Sequence, residues 1–301
     1  MDIRIAQTLY DAVDKSLQTT LSTGSAKVML GLGGVIGSMW LLTFTLRSLH
    51  WIWMGMTDIF KDVLWEMLKV AAIAGIAFNV AWYLETIVPF VTNLPIWMGG
   101  ILSGQVGPQT NQVDALVTNF INNLMNLIDA MDFRWYNVKA IYLAAQSLVF
   151  FVVGGLCLIL VSVVTLIVLK VTTTIMLALG PIFIAFALFD KTRHWFMNWV
   201  SLIAGFMLTN VLFSIVLALE YAFINTVIIK DGVMDTSLAG NFIMLIYFLC
   251  FAFMAGQLPS HAAAVMGGSA VGGTSLGGLV GKATGLGAAM KFSKLIGNKI
   301  S

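Results

Sequence analysis

The chain has 301 residues, of which 59% are hydrophobic and only 10% are charged. A soluble domain usually carries about 25% charged residues to keep its surface wetted, so this composition excludes a soluble globular protein and predicts lipid as the solvent. The formal net charge of +2 is too small for a nucleic-acid-binding surface, and the two cysteines lie in apolar runs that offer neither a disulfide framework nor metal-ligand spacing.

The first predicted element is an amphipathic helix within residues 1–27. Its apolar positions recur every three or four residues, and charged positions fall on the other side. The pattern predicts a helix that lies on the membrane or packs on a neighbouring subunit. Two of its apolar residues, Leu9 and Val13, are candidate contacts with a partner or a second copy.

Two transmembrane helices are predicted in residues 28–91, joined by a cytoplasmic connection outside the membrane at 47–69. They are Val28–Leu46 and Val70–Val91, each long enough to cross roughly 30 Å of hydrocarbon. Charges and tryptophans in the connection are typical of a membrane interface. Pro89 is predicted to close the second span.

Residues 92–140 are too polar to cross a bilayer and are predicted to form a periplasmic loop. Within it, apolar residues at helical spacing predict a second amphipathic helix at 111–131, with asparagines on its other side. This face suits packing between subunits, where several copies form a platform; the alternative is that the helix folds back on its own subunit or lies on lipid. The candidate partner contacts on it are Val113, Val117, Phe120, Leu124 and Ile128.

A cluster of spans is predicted over 141–258, and the Gly-rich, basic stretch 259–301 is predicted to be a cytoplasmic tail. The spans in the cluster are Ile141–Leu169, Trp195–Phe223 and Asn241–Met254. Glu220 falls near the end of one of them, where a solvated cap is the favoured interpretation and a proton relay the alternative.

Between the first two of these spans, the apolar segment 171–189 is interrupted by Gly180-Pro181. Proline removes a backbone donor and clashes with the preceding turn, so this segment is predicted to be broken and re-entrant. That interpretation places Arg47, Lys170 and Arg193 on one side, which the positive-inside rule makes cytoplasmic. The N-terminus and the central loop are then periplasmic, and the fold class is an all-α polytopic membrane protein with about five transmembrane helices.

The stretch from Leu177 to Phe189, with Arg193 and Trp199 downstream, resembles the signature of the TrbL family, the polytopic inner-membrane components of type IV secretion and plasmid conjugation systems. The order of predicted parts is also similar over nearly the whole chain. The positions that carry the resemblance are Gly180, Pro181, Phe183, Phe189, Arg193 and Trp199.

The resemblance implies an inner-membrane scaffold or channel component that supports pilus assembly and conjugative transfer, with no enzymatic activity and no cofactor. It also implies partners. These are a cyclic homo-oligomer of the chain itself, pilin and minor pilin, a bitopic periplasmic scaffold protein, secretion ATPases, phospholipid, and a DNA–protein substrate in transit.

The residues themselves carry no catalytic motif of the GxSxG, HExxH, P-loop or paired-cysteine kind, and the three histidines are scattered. The alternative function is a secondary transporter or ion channel with its broken helix at Gly180-Pro181. Transporters of that kind usually show internal repeats and a pair of broken helices, and the sequence shows one break. For Lys191, Arg193 and His194, membrane anchoring is weighed against contact with an ATPase or a lipid phosphate.

Overall fold

The described part of the chain consists of helices, the turns that join them and one pair of two-residue strands. A computed structural model describes residues 5–54, 59–104, 109–129, 138–224, 226, 229–230, 233–234 and 237–267. A π-helical turn at Tyr83–Ile87 joins two of the helices, and the antiparallel strands β1 (Ile229–Lys230) and β2 (Val233–Met234) precede the last one. The α-helices are α1 (Ile5–Met54), α2 (Ile59–Phe78), α3 (Val80–Trp82), α4 (Val88–Ser103), α5 (Gln109–Asp129), α6 (Val138–Ala178), α7 (Gly180–Phe186), α8 (Arg193–Phe223) and α9 (Leu238–Val265).

Five helical segments of the described chain are long and apolar enough to cross a membrane. This confirms the prediction of an all-α polytopic membrane protein with about five spans. The five segments are Thr23–Leu49, Tyr83–Ser103, Ile141–Ala178, Arg193–Phe223 and Leu238–Val265.

The second span lies further along the chain than predicted. The candidate span is Tyr83–Ser103, so the prediction that Pro89 closes a span is wrong. Pro89 stands in the first turn of α4, directly after the π-helical turn, and the helical segment continues through it. The interruption falls instead at Asn79, whose side chain caps the new helix by accepting a hydrogen bond from the Trp82 N–H at 3.1 Å.

The predicted amphipathic helix and the first span form one helix rather than two elements. α1 continues for 50 residues, about 75 Å, straight through Gly24 and Ser25. A glycine inside a helix costs about 1 kcal/mol relative to alanine, which packing readily outweighs. Here the contacts of Ser25 with the end of α6, described below, hold this part of α1 in place.

α6 likewise continues past its predicted end at Leu169. It runs unbroken through Lys170 to Ala178, so the prediction of a separate re-entrant element beginning at residue 171 is wrong. The Lys170 ammonium group lies 4.7 Å from the centroid of the Tyr10 ring, a cation–π contact that shelters its charge. About 55 Å of α1 separates Tyr10 from Arg47. Lys170 and Arg47 therefore do not share one side of the bundle, as the sequence interpretation had placed them.

The last three spans alternate in direction. The Ser147 hydroxyl of α6 donates to the Asn241 side chain at 2.6 Å, and one turn further Phe151 packs on Phe248, so α6 and α9 run parallel. α8 runs the other way, because its last residue, Phe223, packs on Tyr247 and Phe251 in the first half of α9, whereas Gly205, earlier in α8, faces Ala263 near the end of α9. The bundle end that holds the start of α8 also holds the end of α9, which continues through Pro259 to Val265, past the predicted start of the tail.

Two hydrophobic clusters form the core of the described part of the chain. One joins α5, α6, α8 and α9 around Phe151, Phe213 and Phe248. The other surrounds Tyr83 and Leu177 and joins α1, α2, α7 and the first turns of α8. The break between α6 and α7 lies in this second cluster.

Candidate functional site at the break between α6 and α7

The break follows from the backbone chemistry of Pro181. A helical residue at that position would donate to the carbonyl of Leu177, and proline has no N–H to donate. The next amide, Ile182, turns to the Leu179 carbonyl at 3.1 Å, so the Ala178 carbonyl also loses its helical partner. Carbonyls at the end of α6 therefore need donors from elsewhere, because buried acceptors without a partner are costly.

Three side chains from three different elements supply those donors. The Tyr83 hydroxyl, in the π-helical turn, donates to the Leu177 carbonyl at 2.6 Å. The Trp199 indole N–H of α8 donates to the Met176 carbonyl at 3.0 Å, and the Ser25 hydroxyl of α1 donates to the Ala178 carbonyl at 3.4 Å. We call Ser25, Tyr83 and Trp199 the capping triad. It ties the broken helix to α1, to the second span and to α8.

Gly180 is required by the close packing of the capping triad. A Cβ atom at this position would collide with the Tyr83 hydroxyl oxygen and would lie 3.0 Å from Cζ2 of Trp199. Both neighbours are buried and hydrogen-bonded, so neither can move away at little cost. The sequence predicted a break at Gly180-Pro181, and the structure adds the reason for glycine.

The aromatic residues of the family signature pack beside the triad. Phe183 stacks on Trp199 with 6.1 Å between ring centroids, and Phe196 lies 6.2 Å from the same ring. Phe189 is buried in the same cluster, at the turn that leads into α8. Trp199 is therefore a buried capping residue, whereas Trp195, one turn earlier, is partly exposed.

A network of charged residues lies at the bundle end where α8 begins. Arg47 of α1 pairs with Glu66 of α2 at 2.9 Å and with Asp190 at 3.1 Å, and Lys69 of α2 reaches Asp190 at 3.5 Å. We call these four residues the ion network. Sequence reasoning treated Arg47 and Lys69 as topology signals and did not single out the two acids. Asp190 stands beside Lys191 and Arg193, and its opposite sign in that basic stretch was the available signal; Glu66 lies in a segment of mixed charge that gave none.

An apolar cavity of about 1010 Å³ opens between the ion network and the break. Its walls are residues of α2, of the π-helical turn and α4, and of α8; we call it the α8 groove. Trp199 of the capping triad and Arg193 also line it, so the groove, the triad and the network form one continuous region. Among the residues that the structure describes, no group of three or more His, Cys, Asp or Glu side chains is placed to hold a metal ion.

The predicted partner face of α5 packs mostly inside the chain's own core. Val113 and Phe120 are buried, and Val117 is only 4% exposed. The Phe120 ring stacks on Phe151 of α6 with 4.6 Å between centroids. These three side chains contact their own subunit, so their selection as partner contacts is wrong, because a helix lying against α6 buries its most apolar stripe first.

The other selected positions have different outcomes. Leu124 is half-buried against the same core, whereas Ile128 is 45% exposed and is available to a partner. Val13 is half-buried, and the side chain of Leu9 lies outside the described residues. The Gln7 backbone N–H donates to the Asp114 carboxylate at 3.0 Å, which joins the start of α1 to α5.

Glu220 is a buried residue that the sequence interpretation placed in solvent. Its side chain is 0% exposed, and neither carboxylate oxygen has a hydrogen-bond partner among the described residues. The solvated-cap interpretation of Glu220 is therefore wrong. The neighbouring helices cover this end of α8, which the apolar pattern of α8 alone does not reveal.

The sequence model of one protein family, described as TrbL/VirB6 plasmid conjugal transfer protein, matches residues 40–258. The matched range is more than half of the chain and contains Gly180-Pro181, the ion network, the α8 groove and two members of the capping triad, Tyr83 and Trp199. No curated protein matches the chain.

Proposed function

We propose that this chain, which belongs to the TrbL/VirB6 family of plasmid conjugal transfer proteins, is an inner-membrane scaffold of a type IV secretion system. In this proposal it supports assembly of the pilus and the passage of a DNA–protein substrate during conjugation. The observation that carries the proposal is the family match across 40–258, because that range covers the second, third and fourth candidate spans completely, most of the fifth, and the last third of the first.

The geometry of the break supports a scaffold. The capping triad joins three separate parts of the chain to the end of α6, and the ion network joins α1 and α2 to the turn before α8. Such cross-links between sequence-distant helices fix their relative positions, which a platform for other subunits needs. The feature that supports a scaffold is thus a break whose backbone is fixed by side chains from other helices.

The same geometry disfavours the alternative of a transporter or ion channel at Gly180-Pro181. Broken helices of transporters use freed carbonyls and helix ends to coordinate ions or substrate. Here the carbonyls of Met176, Leu177 and Ala178 all accept hydrogen bonds from protein side chains. A cation would have to displace these donors before it could bind there.

In the proposed arrangement the bundle end with the ion network, Lys191 and Arg193 faces the cytoplasm, where it meets secretion ATPases. The opposite end, with the start of α1 and helix α5, faces the periplasm and the minor pilin, pilin and bitopic scaffold protein. The chain acts as a cyclic homo-oligomer, and the exposed part of α5 around Ile128 is the proposed contact between copies or with the minor pilin.

The test is a donor strain that lacks the chain and is complemented with a tagged copy. Pilus formation and DNA transfer are measured separately, and proteins that co-purify with the tagged chain in mild detergent are identified. We expect both readouts to be lost without the chain, and a pilin-like peptide and a secretion ATPase to co-purify with it. Normal pili in the deletion strain, or purification of a lone oligomer that binds a small solute, would reject the scaffold.

A further inference from the structure

The α8 groove has the dimensions of a site for one flexible apolar chain. From Arg193 to Met207, both of which line it, α8 rises about 21 Å. One leaflet of a bilayer is about 15 Å of hydrocarbon, half of the usual thickness of about 30 Å. The groove is therefore long enough to accept an acyl chain that enters from the end with the charged residues.

The walls of the groove are apolar along this length. Ile73 and Ile76 of α2, Phe90 of α4, and Val200 and Met207 of α8 face the cavity. Phe90 is 58% exposed. An apolar surface of this kind within membrane-spanning helices is solvated by hydrocarbon rather than by water.

The mouth of the groove carries one positive charge in excess. Arg47 and Lys69 are paired with Glu66 and Asp190 within the ion network. Arg193 also lines the mouth and has no ion-pair partner among the described residues. A single guanidinium beside a balanced network is complementary to one phosphodiester anion, which it can bind with two parallel hydrogen bonds.

Tryptophans mark the mouth as the level of lipid headgroups. Trp65 lines the groove there and is 72% exposed, and Trp195, in the first turn of α8, is 45% exposed. Indole rings favour the boundary between hydrocarbon and headgroups, where an apolar body and a polar N–H are both satisfied. The charged mouth therefore lies where a phosphate from the bilayer would be.

We propose that the α8 groove is a binding site for one anionic phospholipid, with an acyl chain along α8 and the phosphate at Arg193. The volume favours an acyl chain over a protein helix. A helix about 10 Å across and 21 Å long occupies roughly 1,600 Å³, whereas the cavity is about 1010 Å³. Basic pockets between membrane helices are known to select anionic headgroups. This site does not depend on the chain supporting a pilus.

The experiment is native mass spectrometry of the full-length chain, stripped of lipid in detergent and titrated with phosphatidylglycerol or with zwitterionic phosphatidylethanolamine. We expect one tightly bound phosphatidylglycerol per chain. Arg193→Gln should weaken phosphatidylglycerol binding about fivefold and phosphatidylethanolamine binding less, because the ammonium group of phosphatidylethanolamine already offsets the charge of its phosphate. The matched control is Lys191→Gln, which removes an exposed cation two residues away that does not line the groove.

A second set of variants tests the groove itself. Ala204→Trp places a large ring in the cavity and should abolish the bound lipid, and Val200→Phe is a smaller change for use if the first variant does not purify. Intact elution profiles and melting temperatures confirm folding. Retention of the lipid by both groove variants, equal losses from Arg193→Gln and Lys191→Gln, or a co-purifying peptide in place of lipid would overturn the proposal.

Discussion

The carbonyl of Leu177 shows how one proline creates a need for a hydrogen-bond donor from another part of the chain. Pro181 deprives this carbonyl of its helical donor, and Tyr83, from a helix far away in the sequence, replaces it at 2.6 Å. The two residues are 94 positions apart, so no local pattern links them. The sequence shows the proline, but it does not show which side chain replaces the missing donor.

Tyr83→Phe tests this replacement directly. The variant keeps the ring but leaves a buried acceptor without a partner, which should destabilise the protein by about 1–3 kcal/mol. Thermal unfolding in detergent measures the loss. Tyr142→Phe is the control, because Tyr142 is exposed and should tolerate the change without effect. Equal melting temperatures for the wild type and Tyr83→Phe would show that the hydrogen bond does not support the break.

Gly180→Ala tests the packing of the same site. The new methyl group collides with the Tyr83 hydroxyl oxygen and should lower stability by about 1–3 kcal/mol. In the double variant with Tyr83→Phe the loss should be smaller than the sum of the single losses, because the colliding oxygen is gone.

The control for this position is Gly75→Ala in α2, where nothing lies within 4 Å of the added methyl group. Its stability should be unchanged or should rise by up to about 1 kcal/mol through helix propensity. If the stability losses from Gly180→Ala and Tyr83→Phe are additive, the collision with the Tyr83 hydroxyl is not the cause of the loss in Gly180→Ala.

At the scale of an element, the apolar spacing of α5 predicts the helix but not the surface against which it packs. Its apolar spacing correctly predicted a helix at about the observed position. The same spacing could not show whether another subunit, lipid or the chain's own helices cover the apolar stripe. In the structure α6 covers it, through the stacked rings of Phe120 and Phe151.

Val117→Asp and Ile128→Asp should therefore behave differently. The first places a carboxylate in the core and should destabilise the protein by about 3 kcal/mol or more, with a fall in the amount of folded chain. The second alters an exposed position and should leave the melting temperature unchanged while weakening co-purification of partners or assembly of the oligomer. Wild-type stability of Val117→Asp would contradict the burial of α5, and unchanged assembly with Ile128→Asp would reject that surface as a contact.

At the scale of the whole molecule, the five spans place the start of α1 and the end of α9 at opposite ends of the bundle. α1 runs parallel to α6, since Tyr10 meets Lys170 and Ser25 meets Ala178, and α9 is also parallel to α6. An odd number of crossings has this consequence, and the positive-inside rule then assigns the sides.

Single cysteines in a background without Cys157 and Cys250 check this topology. Asp11→Cys and Thr226→Cys should react with an impermeant reagent applied to intact cells, because both lie towards the proposed periplasmic end. Lys191→Cys should react only after permeabilisation. Labelling of Lys191→Cys in intact cells would mean that the chain crosses the membrane once more before α8.

The sequence by itself determined the properties that depend on composition and on local chemistry. These are the membrane-embedded all-α class, the number of spans, the break at Gly180-Pro181 and the resemblance to the family that the comparison confirmed. Hydropathy and a missing backbone donor are local quantities, so they can be read from neighbouring residues.

Only the tertiary structure decided how those parts meet. It continued α1 and α6 through predicted boundaries, buried Val117 and Glu220, and brought the capping triad to the broken helix. Each of these depends on segments that lie far apart in the sequence, such as Ser25 and Ala178, which are 153 residues apart. A local pattern records that a surface must be covered or a carbonyl satisfied; the packed fold selects the residue that does so.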